Sequence, residues 1–240
     1  MFNYKISNDP LMDLYESQSL DQLNHKFKLL CENYFIEKFA LAILLKKEEG
    51  YTDKTNLFST FDNYPIEWMN YYKKSQYYLL DPVFLEAQRT TIPNHWHSDK
   101  FNNISKSQKK ILSEGHDFGI SRGTIIPLIP NGRFSGLLNL VDTNIHHPEV
   151  LYMLSNASQI YINKKEYLDI KNKFNKLTEK EILVLSLKAE GYLSKQIASA
   201  LSISNATVIF HLGNIKKKLG FNTIEQAIFK YITILTNNIY

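Results

Sequence analysis

Cysteine is almost missing from this chain of 240 residues. Cys31 stands alone, which excludes an internal disulfide and a metal site built from several thiolates. No run comes near the roughly 20 consecutive apolar residues that a membrane-spanning helix needs. The opening segment from Met1 to Pro10 is polar and carries Asp9, so it lacks the basic and apolar parts of an export signal. A nucleophile elbow (a strand-to-helix turn), a phosphate-binding P-loop and a dinucleotide-binding glycine pattern are lacking too. The expectation is therefore a cytoplasmic protein that has no membrane partner and is not an enzyme. Two histidine groups, His95-x-His97 and His146-His147, have no acidic or thiol partners at ligand spacing, so neither a metal nor a cofactor is expected.

What is present suffices for a substantial core. Hydrophobic residues make up 44% of the chain and charged residues 22%, as in ordinary globular proteins. The length favours two domains of unequal size. The net charge is +4, but it is unevenly spread. From Lys171 to Tyr240 ten Lys face four Glu, a net of +6, and the 18 basic and 20 acidic residues before them leave −2. A basic rear behind a mildly acidic front is the footprint of a nucleic-acid partner, although a solvated Lys-rich surface has the same composition.

In the front part, Leu20, Leu23, Phe27, Leu30 and Tyr34 recur at helical spacing, which predicts an amphipathic helix over 18–36. Phe39–Leu45 reads as a buried strand, Pro65–Gln76 and Ser105–Phe118 as helices, and Thr124–Ile129 and Gly136–Val141 as a hairpin about Pro130-Asn131-Gly132. A long helix from Pro148 to Tyr167 runs into a polar, Lys-rich stretch, where the domain boundary falls. The pattern predicts an α/β front domain over 1–165, an α-β-α sandwich around a mainly antiparallel sheet. A linker over 166–176 and an all-α four-helix domain over 177–240 follow.

The rear domain is punctuated by caps. Thr178 and Glu181 form a capping box, and Gly191 stops the helix that carries Leu183, Leu185 and Leu187. Ser194–Leu201 forms a short second helix, and Ile203-Ser204 is the turn. Ser204 then caps a third helix with Val208, Leu212, Ile215 and Leu219 as its apolar stripe. Gly220 ends it, and Thr223 with Gln226 opens a fourth that carries Ala227, Ile228, Tyr231 and Leu235. Two short helices joined by a tight turn suit a helix-turn-helix, whose second helix enters the major groove of double-stranded DNA. Thr207, His211 and Asn214 carry groups able to read bases, and the lysines after them suit phosphates. Periodicity alone weighs this evenly against a plain structural module.

In the front domain, Tyr64, Trp68 and Tyr72 are spaced by four and share a helix face. Asp81-Pro82 and Pro93-x-x-Trp96 follow. Together these could hold a small amide-containing ligand. Trp68 and Tyr72 would donate to carbonyls, Asp81 would accept from an amide, and Trp96 would form an apolar wall. Plain core packing is the competing interpretation of such aromatics.

The string LTEKEILVLSLKAEGYLSKQIASALSISNATVIFHLGNIKKKLG resembles the helix-turn-helix of the LuxR-type regulators over its whole length. The front domain resembles the autoinducer-binding domain of the acyl-homoserine-lactone receptors in that family, through Trp68, Tyr72, Asp81 and Trp96 and the later Phe118-Gly119, Gly123 and Pro127-Leu128. The resemblance implies a quorum-sensing transcriptional regulator that binds an N-acyl-homoserine lactone as autoinducer and DNA as a homodimer on a palindromic operator. It places Tyr64, Trp68, Tyr72, Asp81, Trp96 and Asn139 at the ligand. Asn139 stands where Ser or Thr is usual. It places Lys195, Ser204, Asn205, Thr207, Val208, His211, Asn214, Lys217 and Lys218 at the DNA, and Ile209 stands where a basic residue is common. An Asp81 buried without its amide partner would make the ligand-free protein marginal and couple binding to folding. A regulator that binds another small molecule, or none, is the alternative.

Overall fold

The structure is a computed structural model and describes residues 9–45, 57–129, 134–142, 145 and 147–237. His146 and the Pro130-Asn131-Gly132 turn lie outside the described residues. The chain divides into two compact units, Met1–Lys164 and Lys165–Tyr240.

The first unit begins with α1 (Pro10–Tyr15) and α2 (Leu20–Asn33), followed by β1 (Lys38–Leu45) and β2 (Leu57–Asp62). Then come α3 (Ile66–Lys74), a short 3-10 turn (Tyr77–Leu79), α4 (Pro82–Ala87) and β3 (Asn94–His97). After α5 (Lys106–Asp117), β4 (Arg122–Leu128) and β5 (Gly136–Val141) precede α6 (Pro148–Phe174). The five strands form one sheet in the order β2-β1-β5-β4-β3, and every neighbouring pair is antiparallel.

Alternation along the strands sends successive side chains to opposite faces. On one face Phe39 and Phe61 pack with Phe27 of α2 and Tyr161 of α6, with ring centroids 5.0–5.9 Å apart. On the other, Ala42, Ile125, Leu137 and Val141 meet Trp68 and Met69 of α3, Val83 and Phe84 of α4, and Ile111 of α5. Helices therefore cover both faces, as the α-β-α reading requires.

The helix starts are chemically specified. Ser19 caps α2, and Ser105 with Gln108 makes a capping box at α5. Gly119 closes α5 with φ at +72°. One boundary differs from expectation. The stretch read as a linker over 166–176 is helical as far as Phe174. Although polar, it contains no Gly or Pro, and Lys165 pairs with Asp169 at 2.6 Å one turn on. Leu168 and Phe174 are also buried there.

The second unit carries α7 (Glu179–Ala189), α8 (Ser194–Ala200), α9 (Asn205–Leu219) and α10 (Ile224–Asn237). Both sides of the Thr178–Glu181 capping box are made, and Ser204 accepts from the Thr207 amide to cap α9. Val184, Leu185, Ile197, Val208, Ile215, Leu219 and Ala227 form a dry centre. Two of the leucines that these helices carry face outward. Leu183 and Leu235 are 47% and 46% exposed, because Val184 and Ile234 take the inward positions next to them.

Candidate functional site

All six ligand residues singled out in the first unit line one cavity of about 60 Å³ between the sheet and α3, α4 and α5. Ala40 and Ala42 keep its floor low, and Asn139 lies opposite Ala40 in the register of β1 and β5. Trp68 and Tyr72 come from α3, with rings 5.6 Å apart. Tyr64 precedes α3 rather than sharing its face, yet its ring reaches the same space. Gly115 of α5 lies against the Trp68 indole, and an added Cβ there would crowd the Ile120 carbonyl at 3.3 Å while standing at ordinary contact distance, 3.6 Å, from the ring.

A short chain of hydrogen bonds fixes one side of the cavity. Trp96 on β3 faces Gly123 on β4. A side chain at Gly123 would strike the Leu140 carbonyl and stand 3.1 Å from the Trp96 indole nitrogen. With glycine there, the indole crosses β4 and donates to Asn139 Oδ1 on β5 at 2.8 Å. An indole N–H only donates, so Asn139 must turn its oxygen to Trp96 and its amide to Tyr64. That amide donates to the Tyr64 hydroxyl at 3.1 Å. The Tyr64 proton thus remains available to a further acceptor. Trp96 is therefore a bonded member of the wall, not the purely apolar surface expected.

The other side is acidic. Tyr72 donates to Asp81 Oδ2 at 2.7 Å, and the Val83 amide donates to Oδ1 at 2.8 Å, which caps α4. Burial pushes the Asp81 pKa up. The bonds from Tyr72, Val83 and Phe84 oppose that shift without cancelling it. The carboxyl is not unpartnered, so the penalty assigned to an isolated buried Asp81 is smaller than expected. Burial, then the charge of Asp81, raises the pKa of both Tyr64 and Tyr72, so both hydroxyls keep their protons. Because the Tyr72 hydroxyl serves Asp81, the donors left for a ligand are Tyr64 and Trp68. Among the described residues nothing accepts from the Trp68 indole N–H. The cavity thus offers two donors and one carboxylate within apolar walls, the pattern of a small-molecule site.

His95 and His97, outside this cavity's polar set, are occupied locally. His95 bonds Thr124 at 2.9 Å, and the Asp99 amide donates to His97. Gly119-x-Ser121-x-Gly123 has the spacing of a nucleophile elbow, but it leads from α5 into β4, the reverse of the order an elbow needs. Cys31 is buried, and burial followed by the charge of Glu32 pushes its thiol up to about 12.

In the second unit, α8 and α9 are joined by a turn with Ser202 at φ +52°. Lys195, Ser204, Asn205 and Lys217 are exposed, and Thr207, His211 and Asn214 are partly so. Val208, assigned to the DNA surface, is wholly buried, since it faces inward on α9 with Ile215 and Leu219. Lys218 binds the buried Glu181 at 2.7 Å. Burial raises the Glu181 pKa, but the bonds from Lys218 and Thr178 outweigh it and leave the carboxyl below its usual range. The Lys218 ammonium therefore holds α9 to α7 in this structure. The Nδ1 atom of His211 is buried with no hydrogen-bond partner, so that edge of the ring faces the protein. Sequence reasoning noted Ile209 only as a departure from a basic residue and passed over Phe210; they are 57% and 64% exposed on α9. Their signal was present: two apolar residues directly follow the inward Val208.

A polar-studded cavity in one unit and a capped helix-turn-helix in the other define a small-molecule-controlled DNA-binding regulator. Residues 19–159 match the autoinducer binding domain family, and residues 175–230 match the luxR family of bacterial regulatory proteins. The chain belongs to the LuxR family of transcriptional regulators, with an autoinducer-binding domain in front of the DNA-binding domain. It is 28% identical to the transcriptional activator EchR of Dickeya chrysanthemi, over 90% of this chain and 89% of that one. It is 25% identical to the activator LuxR of Aliivibrio fischeri, over 90% and 88%. The fold is that of Escherichia coli SdiA, with a TM-score of 0.55 at 20% identity over 92% of both chains. Among the described residues no helix is long and apolar enough to cross a membrane.

Proposed function

We propose that this regulator is a cytoplasmic receptor for an N-acyl-homoserine lactone, that it is not an enzyme, and that it binds a palindromic operator as a homodimer. The observation that carries the ligand class is the placement of Trp68, Tyr64 and Asp81 around one cavity. The ring and chain carbonyls of such a ligand would accept from Trp68 and Tyr64, and its amide N–H would meet Asp81. Tyr72 and Val83 hold that carboxylate in place, while Asn139 and Trp96 position Tyr64. The CepR2 protein of Burkholderia cenocepacia, described as N-acylhomoserine lactone dependent, shares the fold at a TM-score of 0.50 and 16% identity, over 65% of this chain and 93% of that one. Dimer formation is supported by α10, where Phe229, Ile232 and Leu235 are exposed by 66%, 45% and 46%. A second copy could cover that apolar stripe, and paired recognition helices would then match a palindrome.

A second reading has an observation of its own. The cavity, at about 60 Å³, is well below the usual size of a ligand pocket, and Asn139 fills the place beside Trp96. A different acyl compound, or none, fits this as well. SdiA has been solved with octanoyl-rac-glycerol.

Melting temperature against a panel of acyl-homoserine lactones decides between them. Asp81→Asn is the control, since Asn can still cap α4 but cannot act as the anionic acceptor. A rise of several degrees in the wild type, absent in Asp81→Asn, is expected. No rise with any lactone while DNA is still bound would refute the lactone reading. Equal rises in both proteins would remove Asp81 from the site.

A further inference from the structure

We infer that the recognition helix α9 reads thymine methyl groups, with Phe210 as the main reader and Ile209 beside it, so that each operator half-site carries thymines at fixed positions. The inference rests on the DNA-binding role of this unit.

Val208, Ile215 and Leu219 are wholly buried and fix the inward side of α9. At about 100° per residue, the opposite side is formed by Ala206, Phe210, Gly213 and Lys217. All four are exposed. Ile209 lies at the margin of this face and is also exposed. A helix-turn-helix presents this outward side to the major groove.

The surroundings suit DNA rather than an apolar protein surface. Neither α8 nor α9 contains an acidic residue. Lys195 and Lys217 are exposed and Lys216 partly so, which places cations around an apolar centre.

The polar side chains near that centre are largely committed elsewhere. The Thr207 hydroxyl bonds Ser204 at 2.8 Å, His211 turns Nδ1 inward, and Lys218 binds Glu181. Asn214 and Lys217 stay available towards the C-terminal end of the helix, and at the middle of the face a phenyl ring, with a branched alkyl group at its margin, meets the base edges. The apolar feature of the major groove is the thymine methyl. The residues on either side of Phe210 are small. A Cβ at Gly213 would have no atom within 4 Å, so the fold does not demand glycine there. Glycine inside a helix is unfavourable relative to alanine. A small residue one turn before and another nearly one turn after leave the phenyl ring standing clear, able to enter the groove.

Duplexes that the full-length protein enriches from a random pool test this. Each thymine of the enriched site is replaced in turn by uracil, which removes only the methyl group. Uracil at one or two positions per half-site should weaken wild-type binding by about fourfold each, as expected for one buried methyl. Phe210→Ala, whose side chain is exposed and whose melting temperature should match the wild type, should bind thymine and uracil sites equally. Phe210→Leu should restore part of the difference. Uracil tolerated at every position would overturn the inference while leaving DNA binding intact. Phe210→Ala with an undiminished methyl effect would overturn it too. Failure to enrich any duplex would instead overturn the DNA-binding reading beneath it. Wild-type DNA binding unchanged by Phe210→Ala, together with loss of binding to another protein, would assign the patch to a protein partner.

Discussion

The two faces of the sheet are built from the same five strands, yet they do different work. On the α2 and α6 side, Phe27, Phe39, Phe61 and Tyr161 interlock, and the hydroxyl of Tyr161 reaches out to Asn24 at 2.6 Å. On the α3 to α5 side, Asn139, Tyr64, Tyr72 and Asp81 bring polar groups inside, and a space remains unfilled. One face stabilises the unit through packing. The other gives up part of that packing to hold hydrogen-bonding groups where a ligand can use them.

The sharpest way to break this comparison is at the dry face. Phe27 has no exposed surface, so Phe27→Ala should cost about 3–5 kcal/mol in denaturant unfolding. Tyr64→Phe on the cavity face removes one exchangeable hydrogen bond and should cost about 1 kcal/mol, while weakening the ligand response. Equal costs would mean that both faces are structural.

A smaller effect separates the two buried carboxyls. Glu181→Ala removes a capping-box bond and the partner of Lys218, and should destabilise the second unit by about 1–2 kcal/mol. Its folded pKa is held low, so its contribution is complete above the unfolded value near 4.5 and is lost as pH falls through the lower folded value. Asp81 has the opposite sign. Its folded pKa lies above the unfolded 3.8, so the first unit loses stability as pH rises through that window, and Asp81→Asn abolishes the loss. Unfolding curves of each unit's mutant between pH 3 and 7 check both signs.

The smallest expected effect is a gain. Gly213→Ala meets open space and should stabilise α9 by about 0.5–1 kcal/mol, with weaker binding to the enriched duplex. A gain in stability with unchanged DNA affinity would detach Gly213 from the interface.

Most of the second unit was legible in the residues themselves. Its caps are local chemistry: the side chains of Thr178, Ser204 and Thr223 each accept from a backbone N–H three positions on, and Gly220 ends α9 with a positive φ. The α6 boundary was not legible, because a polar, Lys-rich segment reads as a linker unless the burial of Leu168 and Phe174 is known. The cavity was half legible. The spacing of Trp68, Tyr72, Asp81 and Trp96 marked its members, but the links from Trp96 to Asn139 and from Asn139 to Tyr64 span 43 and 75 residues of chain.

By itself the sequence determined the elements marked by caps or strong periodicity and the chemical groups available, because those signals act over a few residues; α1, β2, α4, β3 and the end of α6 were not legible in it. Only the tertiary structure decided how those groups are used. It turned Trp96 across Gly123 to Asn139, gave the Tyr72 proton to Asp81 and left that of Tyr64 available. It also withdrew Val208 into the protein, tied the Lys218 ammonium to Glu181 and left Phe210 outside. The physical reason is that hydrogen-bond partners and burial are set by contacts between distant segments, and those exist only once the sheet and helices have packed.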